Sequence, residues 1–198
     1  MKCPGQDTRY WKEDAIFEVK CPHCGETVEF FKDDTSRPCP GCGQRLPNPR
    51  LDFGCAAYCP YAEQCLGALP PELREKQQVV FKDRIEAEVL TRIKDRDEAV
   101  TRLKRRLRYA EQIALEEGGK LPLVLAAACL LEIEEDAEDF LKRLNVPQEM
   151  REGVLNTLLK DDTLEAHILK DASLLASGVK KGPYFTSTGK RLAQALLD

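Results

Sequence analysis

The sequence has few histidines, no excess of positive charge and no long apolar run. Two histidines occur in 198 residues, and the net charge is −4 with a pI near 5.4. This charge gives no electrostatic case for binding nucleic acid or an anionic membrane. The longest apolar run, Leu121 to Leu131, is too short to span a bilayer, and residues 1–19 lack the apolar core of a signal peptide. We therefore expect a cytoplasmic protein that binds neither membranes nor nucleic acid.

Cysteine, in contrast, is abundant and unevenly distributed. Eight of the nine cysteines fall between residues 3 and 65. Disulfides are rare in a reducing compartment, so closely spaced cysteines favour metal ligation. After Pro70 and Pro71 the chain changes to apolar residues spaced three and four apart, as in amphipathic helices. The sequence predicts a mainly α protein with two domains, a cysteine-rich double metal-binding module over 1–69 and a helical domain over 70–198.

Four of the cysteines form two Cys-x-x-Cys pairs, each followed by glycine. Cys21 and Cys24 are separated from Cys39 and Cys42 by fourteen residues, and the alternating "ETVEFF" between the pairs predicts one arm of a β-hairpin. Two such turns can direct four thiolates at one tetrahedral ion. This stretch resembles a zinc ribbon and, more distantly, a rubredoxin. Zinc is the expected ion, although the spacing alone also allows iron. His23, inside the first pair, is expected to face solvent.

The remaining amino-terminal cysteines are the basis for a second predicted metal site. Cys55, Cys59 and Cys65 lie in one short stretch, and Cys3 is the expected fourth ligand. The site could hold a second zinc or an iron–sulfur cluster, since four thiolates serve both. Alternatively, these residues are free buried thiols, as we expect for Cys129 within "VLAAACLLEI".

The second half of the chain predicts six or seven helices. Phe81, Ile85, Val89 and Ile93 share one helical face, and Gly118-Gly119 ends the next helix. Pro122 fits the first turn of a buried helix. Further helices are predicted around 137–144, over 148–160 and over 163–176, the last with Asp162 as its N-cap. The charged run over 95–108 is expected to be a solvated helix face.

Three segments of the helical half resemble the HD-domain superfamily of metal-dependent phosphohydrolases. They read "TRLKRRLRYAEQIALEEGGKLPLVLAAACLLEI", "LEAHILKDASLLA" and "YFTSTGKRLAQAL", within residues 80–198. The resemblance implies a helical pocket in which histidines and aspartates hold one or two divalent ions that activate water against a phosphoester.

This chain departs from the family pattern at the positions that hold the metal. Arg102 stands in place of the first histidine, and Leu131-Glu132 in place of the His-Asp pair; Asp171 alone keeps the family's ligand. Arginine is a permanent cation and leucine offers no lone pair. We expect Arg102 to form an ion pair with Glu132 or Asp171 in a degenerate HD pocket.

The first functional hypothesis is a non-catalytic, metal-binding regulatory or scaffold protein built on a degenerate HD domain. It would contact an unidentified protein partner or sense metal or redox state. The alternative is a phosphohydrolase acting on a nucleotide or another phosphoester through a metal held by Glu132 and Asp171. A redox protein is a further alternative if the second cysteine site holds iron and sulfur. The loss of the family's ligands favours the non-catalytic hypothesis.

Overall fold

The computed structural model describes residues 15–32, 34, 36–50, 56–59, 61–62, 69, 71–160 and 162–197. These residues form a mainly helical protein preceded by short β-hairpins and a cysteine cluster, which confirms the predicted fold class. The chain divides into two compact units. One comprises Met1–Ala56 and Tyr61–Leu69, and the other comprises Ala57–Pro60 and Pro70–Asp198.

The first unit contains two antiparallel hairpins. β1 (Ile16–Lys20) pairs with β2 (Thr27–Phe31), and β3 (Ser36–Pro38) pairs with β4 (Arg45–Pro47). The predicted hairpin arm is therefore confirmed as β2. In β1 and β2 the buried side chains, Phe17, Val28 and Phe30, lie at alternate positions, as the period of two requires.

The core that the described residues of this unit form is small. The rings of Phe17 and Phe30 stack at 5.8 Å, and Val28 and Leu46 complete the buried aliphatic part. Two cysteines, Cys21 and Cys39, are buried in the same cluster. So small an apolar core stabilises a fold weakly, and modules of this size commonly need a metal or a disulfide.

The second unit is helical, with seven helices in the part of the chain that the structure describes. They are α1 (Pro71–Ile93), α2 (Asp97–Glu117), α3 (Leu121–Leu130), α4 (Ala137–Arg143), α5 (Gln148–Leu159), α6 (Leu164–Ala176) and α7 (Ser187–Ala195). Helix α3 is buried on nearly all sides, as its alanine-rich and leucine-rich sequence requires. Among the described residues, no helix combines the length and the apolarity that crossing a membrane requires.

The sequence signals for the first helices are confirmed. The four predicted core residues of α1 are all buried, because a spacing of four keeps them on one face. Helix α2 ends at Gly118, whose φ of 77° is left-handed and accessible to glycine at little cost. Pro122 lies in the first turn of α3, where a missing amide hydrogen costs nothing.

One predicted cap is wrong. The N-cap of α6 is Thr163, whose hydroxyl accepts a hydrogen bond from the amide of Ala166 at 3.1 Å, and Asp162 precedes it. Thr186 caps α7 in the same way, through the amide of Gly189. A threonine and an aspartate are both good N-caps, so adjacent candidates cannot be ranked from sequence.

Candidate metal centre and buried charge cluster

The first cysteine pair lies in the tight loop that joins β1 to β2. The amide of Cys21 donates to the carbonyl of Glu26 at 2.8 Å, and the amide of Gly25 donates to the carbonyl of Cys21 at 2.9 Å. Gly25 has a φ of 76°, which an L side chain rarely adopts. The glycine after the second cysteine is therefore required by the backbone of this loop.

The second cysteine pair repeats the same arrangement between β3 and β4. The amide of Cys39 donates to the carbonyl of Gln44 at 2.9 Å, and the amide of Gly43 donates to the carbonyl of Cys39 at 2.8 Å. Gly43 has a φ of 71°. A Cβ on Gly41 would lie 3.0 Å from Cβ of Glu26 and 3.3 Å from Sγ of Cys24, so the two loops approach each other closely at this glycine.

The two loops bring four sulfurs together. The Sγ atoms of Cys21, Cys24, Cys39 and Cys42 all lie within 4.8 Å of one another. Cys21 and Cys42 are 3.7 Å apart, and Cys24 and Cys39 are 3.5 Å apart. A tetrahedral zinc with Zn–S distances of about 2.3 Å would separate its sulfurs by about 3.8 Å. The first predicted site is confirmed as a cluster that can hold a metal ion.

The pKa values of two thiols in this cluster are shifted in opposite directions by their surroundings. Burial raises the pKa of Cys21, but amide hydrogen bonds from His23 and Cys24 outweigh it, and the pKa falls to about 7. The amide of Glu26 lowers the pKa of Cys24, but the neighbouring Cys39 and burial raise it to about 12. A bound metal ion would hold both side chains as thiolates, because its charge deprotonates coordinating thiols.

The second predicted site lies largely outside the described residues. Cys3, Cys55 and Cys65 are among the residues that the structure does not describe, so the site stays a prediction. Cys59 is half-buried, and its carbonyl accepts a hydrogen bond from Nε2 of Gln77 at 2.8 Å. Cys129 is fully buried in α3, as expected, and burial raises the pKa of its thiol to about 12.

Arg102 and Glu132 form the ion pair that we expected as one of two possibilities. Nε of Arg102 donates to Oε1 of Glu132 at 3.0 Å, and its NH2 donates to Oε2 at 2.6 Å. The arginine side chain is 42% exposed, whereas the glutamate side chain is 1% exposed. This two-point contact is the strongest geometry for an arginine and a carboxylate.

Arg106, which was not predicted to be buried, is the second cation of this cluster. Its NH1 lies 2.9 Å from Oε1 of Glu132 and donates to the carbonyl of Ala128 at 3.0 Å. The side chain is 7% exposed, so the expectation that the whole charged run is solvated is wrong at this residue. Arg106 lies three residues after Leu103 and four before Ala110, on the buried face of α2. This spacing was the signal in the sequence that its side chain is buried.

The charges of the cluster act on one another. Burial raises the pKa of Glu132, but the two guanidinium groups outweigh this and hold it below its ordinary value. Burial lowers the pKa of Arg106, and Glu132 opposes this effect. We infer that Glu132 is ionised at neutral pH and balances the buried cation.

Asp171 has a different set of partners. It is fully buried, and its carboxylate accepts hydrogen bonds from the amide of Phe185 at 2.9 Å, from the amide of Thr186 at 2.8 Å and from Oγ1 of Thr186 at 2.6 Å. A Cβ on Gly189 would overlap Oδ2 of Asp171. Asp171 therefore anchors the start of α7 to α6.

We predict that Asp171→Asn lowers the free energy of unfolding by about 1.5–3 kcal/mol, the usual worth of hydrogen bonds to a charged group. The amide would keep one acceptor oxygen and turn an N–H₂ group toward donors. Thermal and urea unfolding measure this loss. The control is Asp162→Asn at the exposed position before α6, for which we expect no measurable change. Equal stability of the two variants would contradict the anchoring role.

The two histidines are not part of either cluster. His23 is exposed, as expected, and the ring of His167 stacks on Phe185 at 4.7 Å. Leu131, where the resemblance to HD domains implies a histidine, is 46% exposed. Over the described ranges, the cysteine cluster is the one group of three or more Cys, His, Asp or Glu side chains close enough to hold a metal ion.

The comparisons with known proteins add no relative. When the chain was compared with protein-family models, with curated proteins and with solved structures, no significant match was found in any of the three. The resemblance to HD domains therefore stays a prediction based on the quoted motifs.

Proposed function

We propose that this protein is a non-catalytic, zinc-binding regulatory or scaffold protein. The observation that carries the proposal is the cluster of Cys21, Cys24, Cys39 and Cys42, which provides four thiolates for a single ion. Four protein ligands close a zinc site, whereas catalytic zinc keeps a position open for water or substrate. The proposed role of this metal is therefore structural.

Zinc is proposed over iron because the surrounding unit needs additional folding free energy. Over the described part of this unit, the apolar core is limited to a few side chains, and two of the four ligands are buried within it. Zinc contributes folding free energy without any redox chemistry. At the second predicted site, with Cys3, Cys55, Cys59 and Cys65, either zinc or an iron–sulfur cluster remains part of the proposal.

The buried charges of the helical unit support the non-catalytic part of the proposal. Both oxygens of Glu132 accept hydrogen bonds or ion-pair contacts from Arg102 and Arg106. Both oxygens of Asp171 accept hydrogen bonds from residues 185 and 186. A divalent ion at Glu132 would have to displace two cations, and at Asp171 it would have to free the start of α7.

We further propose that the partner of the helical unit is a protein and that the chain acts in the cytoplasm. The net charge of −4 opposes a general attraction to nucleic acid. The two clefts beside Arg102, of about 340 and 400 Å³, have both cationic and anionic side chains, including Asp97 and Glu98. Mixed charge at a surface favours a polar protein interface over a uniformly anionic ligand.

A phosphoester screen tests the non-catalytic proposal. Wild-type protein would be assayed with Mg²⁺ or Mn²⁺ against nucleotides, cyclic nucleotides and phosphomonoesters, beside Glu132→Gln and Asp171→Asn. We expect hydrolysis at the background rate for all three proteins. Metal-dependent turnover by the wild type that either substitution abolishes would establish the phosphohydrolase alternative instead.

A further inference from the structure

The four cysteines differ in their access to solvent. Cys21 and Cys39, the first cysteine of each pair, are 2% exposed, whereas Cys24 and Cys42 are exposed. The second cysteine of each pair is therefore the one that a small oxidant in solution meets first. Reactivity of a cysteine follows its thiolate character and its exposure, and zinc binding supplies the thiolate.

Each exposed cysteine also has the sulfur of a buried cysteine from the other loop beside its own sulfur. Cys24 lies 3.5 Å from Cys39, and Cys42 lies 3.7 Å from Cys21. A disulfide bond is about 2.05 Å long, so each pair needs to close by roughly 1.5 Å. The two cross-loop pairs use all four ligands once, so both bonds can form in the same molecule.

We propose that the cluster is a site of oxidative modification by peroxides, at which two cross-loop disulfides, Cys24–Cys39 and Cys42–Cys21, replace the metal. This inference rests on the proposed zinc site. Because the disulfides remove all four ligands, oxidation releases the ion. The proposed structural site would thereby respond to peroxide.

The chemistry balances for each disulfide with one hydrogen peroxide as the oxidant. The thiolate of Cys24 attacks one peroxide oxygen, the O–O bond breaks, and sulfenic acid and hydroxide form. The thiolate of Cys39 then attacks the sulfenic sulfur and displaces a second hydroxide, which leaves the disulfide. Two electrons pass from the two sulfurs to the peroxide. Cys42 and Cys21 react in the same way with a second peroxide.

Tryptic mapping of the full-length, zinc-loaded protein tests the proposal directly. Trypsin cleaves after Lys20, Lys32 and Arg45, and the bond between Arg37 and Pro38 resists cleavage. One peptide, 21–32, therefore holds the first pair, and another, 33–45, holds the second. Cross-loop disulfides join the two peptides, whereas disulfides within each pair leave them separate.

Zinc content is measured first, and zinc release during hydrogen peroxide treatment is then followed with a chromogenic chelator. We expect zinc release together with the joined peptides, and fragmentation that assigns the two proposed pairs. The buried Cys129 serves as the internal control and should stay reduced.

The other outcomes overturn either the oxidation proposal alone or the zinc site as well. Separate peptides, other pairings, bonds to other cysteines or retention of zinc would overturn the oxidation proposal and leave the zinc site standing. A preparation with no metal at the four cysteines would overturn the proposed function, and the oxidation proposal with it.

Discussion

Replacing Glu132 with alanine is expected to lower the free energy of unfolding by about 3–5 kcal/mol, the cost of leaving a buried charge without its partner. Arg106 would keep its bond to the carbonyl of Ala128 but lose its buried counter-charge. Its Nε already has no hydrogen-bond partner among the described residues, so little compensation is available. Chemical denaturation with two probes, one for helix and one for tertiary structure, measures the loss.

Glu134 provides the matched control two residues away. Its side chain is 93% exposed and lies 4.0 Å from Arg96, so Glu134→Ala should change stability by no more than about 0.5 kcal/mol. The loss of stability in Arg102→Ala should lie between the losses in Glu132→Ala and Glu134→Ala, because Arg106 would still pair with Glu132. A Glu132→Ala protein as stable as Glu134→Ala would contradict the buried cluster.

The same cluster predicts a pH dependence. The pKa of Glu132 is lower in the folded protein than its ordinary value of 4.5. Its contribution to stability is therefore fully present above pH 4.5 and is lost as the pH falls through the lower, folded-state pKa. Glu132→Gln should remove this part of the acid sensitivity, while a wild-type acid profile in the variant would argue against it.

Removing the metal is expected to unfold the amino-terminal unit while the helical unit stays folded. Apparent binding free energies of structural zinc in small modules are about 10–16 kcal/mol, far more than a few apolar side chains supply. On chelation, the NMR resonances of Phe17 and Phe30 should lose their dispersion. Far-UV circular dichroism should change little, because α1 to α7 lie in the other unit.

Two single-cysteine variants distinguish the loss of the metal ion from the loss of a thiol elsewhere in the chain. Cys39→Ser removes a buried ligand and should reproduce the chelated spectrum without any chelator. Cys129→Ser changes a cysteine buried in α3 and should leave the aromatic resonances of the first unit unchanged. Phe17 and Phe30 resonances that stay dispersed in Cys39→Ser would contradict a metal-dependent fold.

The local signals in the sequence predict most of the architecture. A spacing of four located the buried face of α1, and Cys-x-x-Cys-Gly located both loops of the cluster. Each of these signals depends on neighbours along the chain, which is why the sequence carries them. Whether Thr163 or Asp162 is the N-cap depends on a one-residue difference in where the helix begins. The sequence does not determine the start of a helix to one residue.

The buried charge cluster was predicted only in part. The pairing of Arg102 with a carboxylate was expected from charged residues at positions where the resemblance to HD domains implies metal ligands. The choice of Glu132 over Asp171, and the presence of Arg106, depend on how α2, α3 and α6 pack. The position of Arg106 on an apolar helical face was the one local indication that it is buried. Because the surrounding run is highly charged, the whole run was expected to be solvated.

The central claim is that Cys21, Cys24, Cys39 and Cys42 hold one zinc ion. Its most direct test is elemental analysis of the purified protein beside Cys39→Ser and Cys129→Ser, with zinc and iron measured in each. The account predicts that Cys39→Ser loses one zinc per chain relative to the wild type, while Cys129→Ser keeps the wild-type content. Equal metal content in all three proteins, or a loss of iron in place of zinc, would contradict it.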